Sequence, residues 1–250
     1  MSTNYVKLLN ALDALGLPEF KAGLDRAVDS VSSGAMTVVD ALWSLSSKEL
    51  EARQRRIDDT MVKVSHFPFW KTVDDYDFSF QPQLNRDEIL ALTDLRFIES
   101  AGNVVFLGTP GTGKTHLAVA IGMVAAKSRY RTYFITCNDL IAELKKAKSE
   151  GLLAKKLKYY QSYSLMIIDE VGFLPIEKGD SDLLFQLISM RYEKKSTIMT
   201  SNKGFNHWGE VFGDPALANA MVDRILHHCK VIQIVGPSYR MKGKEDLFKE

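Results

Sequence analysis

The stretch Gly108-Thr109-Pro110-Gly111-Thr112-Gly113-Lys114-Thr115 decides the fold. It fits the phosphate-loop pattern GxxxxGK[ST] at every fixed position. The apolar run Val104–Leu107 precedes it and reads as a strand; helical spacing from Lys114 to Ser128 follows it. A glycine-rich turn between a strand and a helix lets backbone N–H groups converge on phosphate oxygens, and the helix N-terminus adds partial positive charge. On this reading Gly108 through Thr115, with His116 beside it, cradle a nucleotide. Lys114 reaches the β- and γ-phosphates, and the Thr115 hydroxyl sits on Mg²⁺.

Downstream, short β-rich runs alternate with helical ones. The spacing predicts strands at Arg131–Thr136, Leu165–Asp169, Thr197–Ser201 and Val231–Ile234. It predicts helices at Asn138–Tyr160 (two, broken near Gly151), Asp182–Glu193 and Pro215–His227. Such alternation implies an α/β fold, a parallel sheet sandwiched by helices. The strand Leu165–Ile168 ends in Asp169-Glu170. At the carboxyl end of a sheet strand, Asp169 can hold Mg²⁺ and Glu170 can polarise an attacking water as general base. Asn202, after the Thr197–Ser201 strand, can hydrogen-bond that water or the γ-phosphate; a turn-forming role is its alternative. Arg224 and Arg240 are candidates for neutralising charge on a transferring phosphoryl group. Either could instead be a solvated charge: Asp223 adjoins Arg224, and Lys242 and Lys244 follow Arg240.

Upstream, residues 1–65 read as a small all-helical domain. Helices are expected at Val6–Leu12, Glu19–Val31, Thr37–Leu45, and from a Ser47 cap to about Val64. Residues 66–102 read as a linker with aromatics at Phe67, Phe69, Trp70, Phe78 and Phe80, then a leading helix at Arg86–Thr93. The aromatics either pack or flank the base of a nucleotide. Residues 103–250 form the nucleotide-binding domain.

The block from Asn103 to Arg240 resembles the AAA+ ATPases of the initiator and helicase-loader group, and more narrowly the IstB family. That family is the ATPase helper encoded beside the transposase of a two-gene insertion sequence. The narrower segments are Leu183-Leu-Phe-Gln-Leu-Ile188, Leu226-His-His228 and Ser238-Tyr-Arg240; Ile167–Pro175 carries the carboxylates. The resemblance implies a P-loop AAA+ core with no C-terminal lid, in keeping with the ten residues after Arg240. It also implies Asn202 as first sensor, Arg224 as intersubunit finger and Arg240 as second sensor. ATP and Mg²⁺ are the implied cofactors. Duplex DNA, a cognate transposase and further copies of the chain, in a ring, spiral or filament, are the implied partners. A DnaC-type replicative helicase loader is the rival.

Between Ala142 and Tyr160, six lysines (Lys145, Lys146, Lys148, Lys155, Lys156 and Lys158) face two glutamates. Projecting from the sheet they could track DNA phosphates; otherwise they form a solvated helix face. Residues 1–65 hold Arg53, Arg55 and Arg56 but are balanced by acids, so DNA grip, protein docking and oligomer contact stay open, with DNA grip and transposase contact preferred. His227-His228 is not at metal spacing along a helix and reads as packing or a polar helix end.

The whole chain sets bounds on these readings. Its 250 residues, 46% hydrophobic and 25% charged, suit a globular protein and exclude fibrous or wholly disordered classes. A net charge of +1 does not announce a nucleic-acid binder, so any DNA contact must be local. Two cysteines without a CxxC fit a reducing cytoplasm and argue against a disulfide framework or a zinc module. No run approaches the ~20 apolar residues of a membrane span, and no signal peptide opens the chain, so a cytoplasmic protein is expected.

Overall fold

The computed structural model describes residues 3–174 and 176–242, so Pro175 and Lys244 lie outside the described residues. The chain divides into two compact units, 1–60 and 61–250. The first is helical, with α1 (Thr3–Ala14), α2 (Pro18–Ser32) and the greater part of α3 (Val38–Val64). Leu12, Leu24 and Leu45 form its small core, with Leu9 and Phe20 packed on them. Thr37 opens α3: its hydroxyl accepts from the Asp40 N–H and donates to the Asp40 carboxylate. The two helices expected at 37–45 and 47–64 are one. No glycine or proline interrupts this stretch, and Ser47 lies inside the helix with a buried, unpartnered hydroxyl instead of capping a new one.

The second unit is built on five parallel strands: β1 (Asn103–Gly108), β2 (Thr132–Thr136), β3 (Leu165–Val171), β4 (Ser196–Ser201) and β5 (Cys229–Ile234). Their spatial order is β2-β3-β4-β1-β5. Strand alternation splits the core into two layers. Val104, Phe106, Ile167 and Ile198 face one side, where they meet Leu117 and Ile121 of α6 (Lys114–Lys127). Val105, Leu107, Ile168 and Met199 face the other. There they meet α7 (Cys137–Ser149), α8 (Leu153–Gln161), α9 (Lys178–Arg191), α10 (Trp208–Phe212) and α11 (Pro215–Leu226). A sheet covered on both faces explains why β1 and β3 read as continuous apolar runs instead of alternating ones.

Residues 61–102 pack into the first of these layers. Val73, Tyr76, Leu84, Ile89 and Ile98 are buried there, and Phe67, Phe69 and Phe78 pack against it. The segment is not uniformly extended. It holds a 3₁₀ turn at Phe78–Phe80, then α4 (Arg86–Leu92) and a short α5 (Arg96–Glu99) that the sequence did not announce. Asn85 caps α4 by accepting from the Asp87 and Glu88 N–H groups. Among the described residues no helix is long and apolar enough to cross a membrane.

Candidate active site at the carboxyl edge of the sheet

Strand β1 delivers its last residue, Gly108, to the sheet's carboxyl edge, and the chain turns through 109–113 into α6. Two glycines make this turn possible. Gly108 passes so close to β5 that a Cβ there would lie 1.9 Å from the Ile234 carbonyl oxygen. Gly113 has φ +89°, and a Cβ on it would lie 2.4 Å from the Tyr76 ring. The Tyr76 hydroxyl donates to the Thr112 carbonyl at 2.7 Å, pinning the loop to the 61–102 segment. Burial, with help from Asp77, pushes this phenol up to about 12, so it stays a donor across the physiological range.

The Lys114 ammonium donates to the Gly108 and Thr109 carbonyls at 2.9 and 2.7 Å. Burial lowers its pKa to about 8; Asp169 opposes this and Arg240 adds to it. The Thr115 hydroxyl donates to Asp169 at 2.9 Å. Asp169 is nearly buried, and that desolvation raises its pKa, while hydroxyl donors from Thr200 and Thr115 pull it back.

Glu170 points away from Asp169 because β3 bulges here. Ile168 pairs with Met199 and Val171 with Ser201, leaving Asp169 and Glu170 together opposite Thr200. Glu170 takes a left-handed backbone, φ +60°, that a bulky side chain rarely adopts. Thr200 spans the bulge: its hydroxyl accepts from the Glu170 N–H at 3.0 Å and donates to Asp169 at 2.5 Å. Glu170 is thereby exposed in the cleft that Asn202, just past β4, also lines.

The stretch after β5 closes one side. The Thr109 hydroxyl donates to the Gly236 carbonyl, the Gln81 amide to the Pro237 carbonyl, and the Tyr239 N–H to the Gly111 carbonyl, at 2.9 to 3.0 Å. Lys242 pairs with Asp77 at 2.8 Å and holds that carboxyl down at about 2. Arg240 thus lines the same cleft. The cleft measures about 470 Å³, within the range of small-molecule sites, and Phe69, Phe80 and Tyr239 supply apolar walls.

The structure therefore brings together Pro110 through His116 with Asp169, Glu170, Asn202 and Arg240; Gly108 and Thr109 frame the loop behind them. His116 joins through its ring nitrogen, 2.8 Å from the Thr72 carbonyl oxygen. Arg224 is elsewhere. It lies in the last turn of α11, donates to the Ala220 carbonyl and stacks 4.7 Å over the Phe185 ring. The six lysines fall on α7 and α8 and divide into two kinds. Lys145 pairs with Asp180 at 2.8 Å and Lys156 with Glu143 at 2.5 Å. Lys146, Lys148, Lys155 and Lys158 are exposed, with no ion pair among the described residues.

A threonine hydroxyl beside a carboxylate, at the mouth of a phosphate loop, is a hard-oxygen donor set that fits Mg²⁺. Burial of Asp169 gives it a reason to prefer a cation over solvent.

The sequence profile of the IstB-like ATP binding proteins matches residues 10–246. The chain belongs to this IstB-like ATP-binding family. Its relatives include the ATP-binding protein of insertion sequence IS232 from Bacillus thuringiensis subsp. berliner, 49% identical over 97% of both chains. The corresponding protein of insertion sequence IS21 from Pseudomonas aeruginosa is 44% identical over 93% of this chain and 88% of that one. Among solved structures, the DnaC helicase loader superposes with a TM-score of 0.53 at 28% identity, covering 60% of this chain and 87% of that one. DnaA from Aquifex aeolicus superposes at 0.58 and 20% identity over 74% of this chain and 57% of that one, a likeness of fold alone. The chain is thus an ATP-binding protein of the AAA+ P-loop fold.

Three contributors to the cleft were not singled out in the sequence: Tyr76, Thr200 and Gln81. Tyr76 lies 36 residues from the carbonyl it holds and Thr200 lies 31 from the carboxylate it serves, with no local pattern marking either.

Proposed function

We propose that this protein hydrolyses ATP with Mg²⁺ and uses nucleotide state to control assembly on duplex DNA, assisting an insertion-sequence transposase in choosing and preparing its target. One observation carries the hydrolytic part: the bulge at Asp169-Glu170 directs adjacent carboxylates to different tasks. Asp169, with Thr115, would hold Mg²⁺, which when bound neutralises phosphate charge. Glu170, exposed beside Asn202, accepts the proton of the attacking water, and Asn202 orients that water. Lys114 leaves its loop carbonyls for the phosphates, and Arg240 adds a second cation to the same cleft.

Arg224 does not line its own chain's cleft, which suits a residue that serves a neighbouring copy. Lys146, Lys148, Lys155 and Lys158, exposed on α7 and α8, support phosphate contact, a sequence-independent mode. The insertion-sequence origin of relatives at 41–49% identity supports a transposition role. One observation favours a second reading, helicase loading: the 28% identity to the DnaC loader.

Glu170→Gln tests the proposal. Removing the base should cut turnover by ~10²–10⁴-fold while sparing ATP binding. With ATP it should hold the protein in a large, slowly dissociating complex on duplex DNA. A variant that binds ATP yet neither assembles nor retains duplex refutes the switch.

A further inference from the structure

At the opposite ends of the strands from the ATP cleft, two turns converge. One leaves α9 and carries Glu193, with φ +55°; the other joins α11 to β5 and carries His227 and His228. His227 Nδ1 lies 3.3 Å and His228 Nε2 3.8 Å from the same Glu193 oxygen, and the two imidazole centroids are 4.1 Å apart with their planes tilted by 49°. One ligand atom from each residue lies within 4.8 Å of the others. Two atoms bound to zinc at 2.0–2.1 Å and tetrahedral angles stand about 3.3 Å apart, so the cluster is already close to coordination geometry. Sequence spacing hides it, because adjacent histidines do not share a helix face and the third ligand lies more than thirty residues away.

The frame beneath is rigid. The Asn103 N–H donates to the His228 carbonyl at 2.7 Å, and the Asn103 amide donates to the Ile225 carbonyl at 3.0 Å. The Asn103 side-chain oxygen accepts from the Thr197 N–H at 3.0 Å, so one side chain ties the start of β4 to the end of α11. The Tyr192 hydroxyl lies 2.9 Å from His227 Nδ1, so an ion binding at that nitrogen displaces this hydrogen bond. Cys229, next in sequence, packs into the core instead, where burial pushes its thiol up to about 12.

We propose that Glu193, His227 and His228 form a site for a divalent transition-metal ion of the zinc class. Two imidazoles with one carboxylate select such ions over Mg²⁺. Three protein ligands at an exposed position leave the fourth to water. A bound ion cross-links the α9–β4 turn to the α11–β5 turn and so fixes the end of the helix that carries Arg224.

Co²⁺ is the probe, titrated into the chelator-treated, nucleotide-free full chain with excess Mg²⁺ occupying hard-oxygen sites. One Co²⁺ per chain should give saturable visible absorption, and Zn²⁺ should displace it. His228→Ala and Glu193→Gln should each weaken binding at least ~10-fold, the loss that even outer-shell partners produce. Zn²⁺ should raise the melting temperature of the parent chain and not of these variants. His207→Ala, which removes a histidine–carboxylate contact outside the cluster (3.9 Å to Glu210), should leave the titration unchanged. Glu193→Gln keeps the side-chain volume and serves as the test should His228→Ala fail to fold. No saturable absorption, or absorption kept in Glu193→Gln and His228→Ala, overturns the proposal.

Discussion

Replacing Thr200 by valine keeps the shape of a buried side chain and removes one hydroxyl with two tasks. The bond to Asp169 is buried and charge-assisted, contributing about 1.5–3 kcal/mol; the bond from the half-buried Glu170 N–H falls near the lower end for an orphaned donor, about 1 kcal/mol. The nucleotide-free protein should therefore lose about 2.5–4 kcal/mol, read as a lower urea midpoint at constant slope. Thr200→Ser keeps the hydroxyl and should lose under ~1 kcal/mol, the cost of a methyl group. The variants should also differ in pH dependence. Asp169 already sits above its ordinary pKa because it is buried, and losing a donor moves it higher. A carboxyl raised in the folded state makes the folded state gain stability as pH falls through that raised value towards the ordinary 3.8. The valine deficit should accordingly shrink on acidification, while the serine variant tracks the parent. In steady-state assays, release of Glu170 from its left-handed backbone should lower kcat more than it raises KM for ATP. Valine and serine variants of equal stability, equal kcat and equal pH profile would refute the bridging role of Thr200.

Lys114, held down at about 8 in the nucleotide-free cleft, should regain its proton on meeting phosphate. ATP binding near pH 9 should then take up a proton and weaken as pH rises, measurable by calorimetry in buffers of different ionisation enthalpy; for the same reason the empty protein should gain stability from this group between pH 8 and 10.5. Gly113→Ala should destabilise by ~2 kcal/mol or more, from about 1–2 for the left-handed backbone plus the Tyr76 clash, and Tyr76→Leu should relieve only the clash. Changing Lys146, Lys148, Lys155 and Lys158 together to alanine should flatten the log–log salt dependence of duplex binding by about 0.9 for each phosphate no longer neutralised. An unchanged slope would make these lysines an ordinary solvated surface.

How much of this could be read from the chain depends on how local each cause is. All five strands lie within two residues of their expected ends: β1 to β4 are buried along most of their length and bounded by turn residues, while the edge strand β5 alternates buried and exposed residues over Val231–Ile234 and its first two residues escaped the reading. The phosphate loop is eight contiguous residues and is legible for that reason. The bulge at Asp169-Glu170 is not, since it exists only in register against β4. Thr200 reads as one more β-branched strand residue, and Tyr76 as one more aromatic in an irregular stretch; their partners come from elsewhere in the chain. Short elements such as α5 and α10 carry too few residues to show a period, and α10 stands on the burial of Trp208 and Phe212. Arg191 reads as a helix-end charge. It is in fact buried, its guanidinium donating to the Tyr160, Tyr163 and Ser196 carbonyls and so joining α8, α9 and β4.

The central claim is nucleotide-controlled assembly on duplex DNA, and the most direct measurement is binding of the pure protein to long duplex against single-stranded DNA. It is made with ATP, with ADP and without nucleotide, at low and high salt. The account expects large, salt-sensitive complexes on duplex with ATP alone, dispersing as ATP is consumed. Binding confined to single strands, or the same in all three nucleotide states, would contradict it.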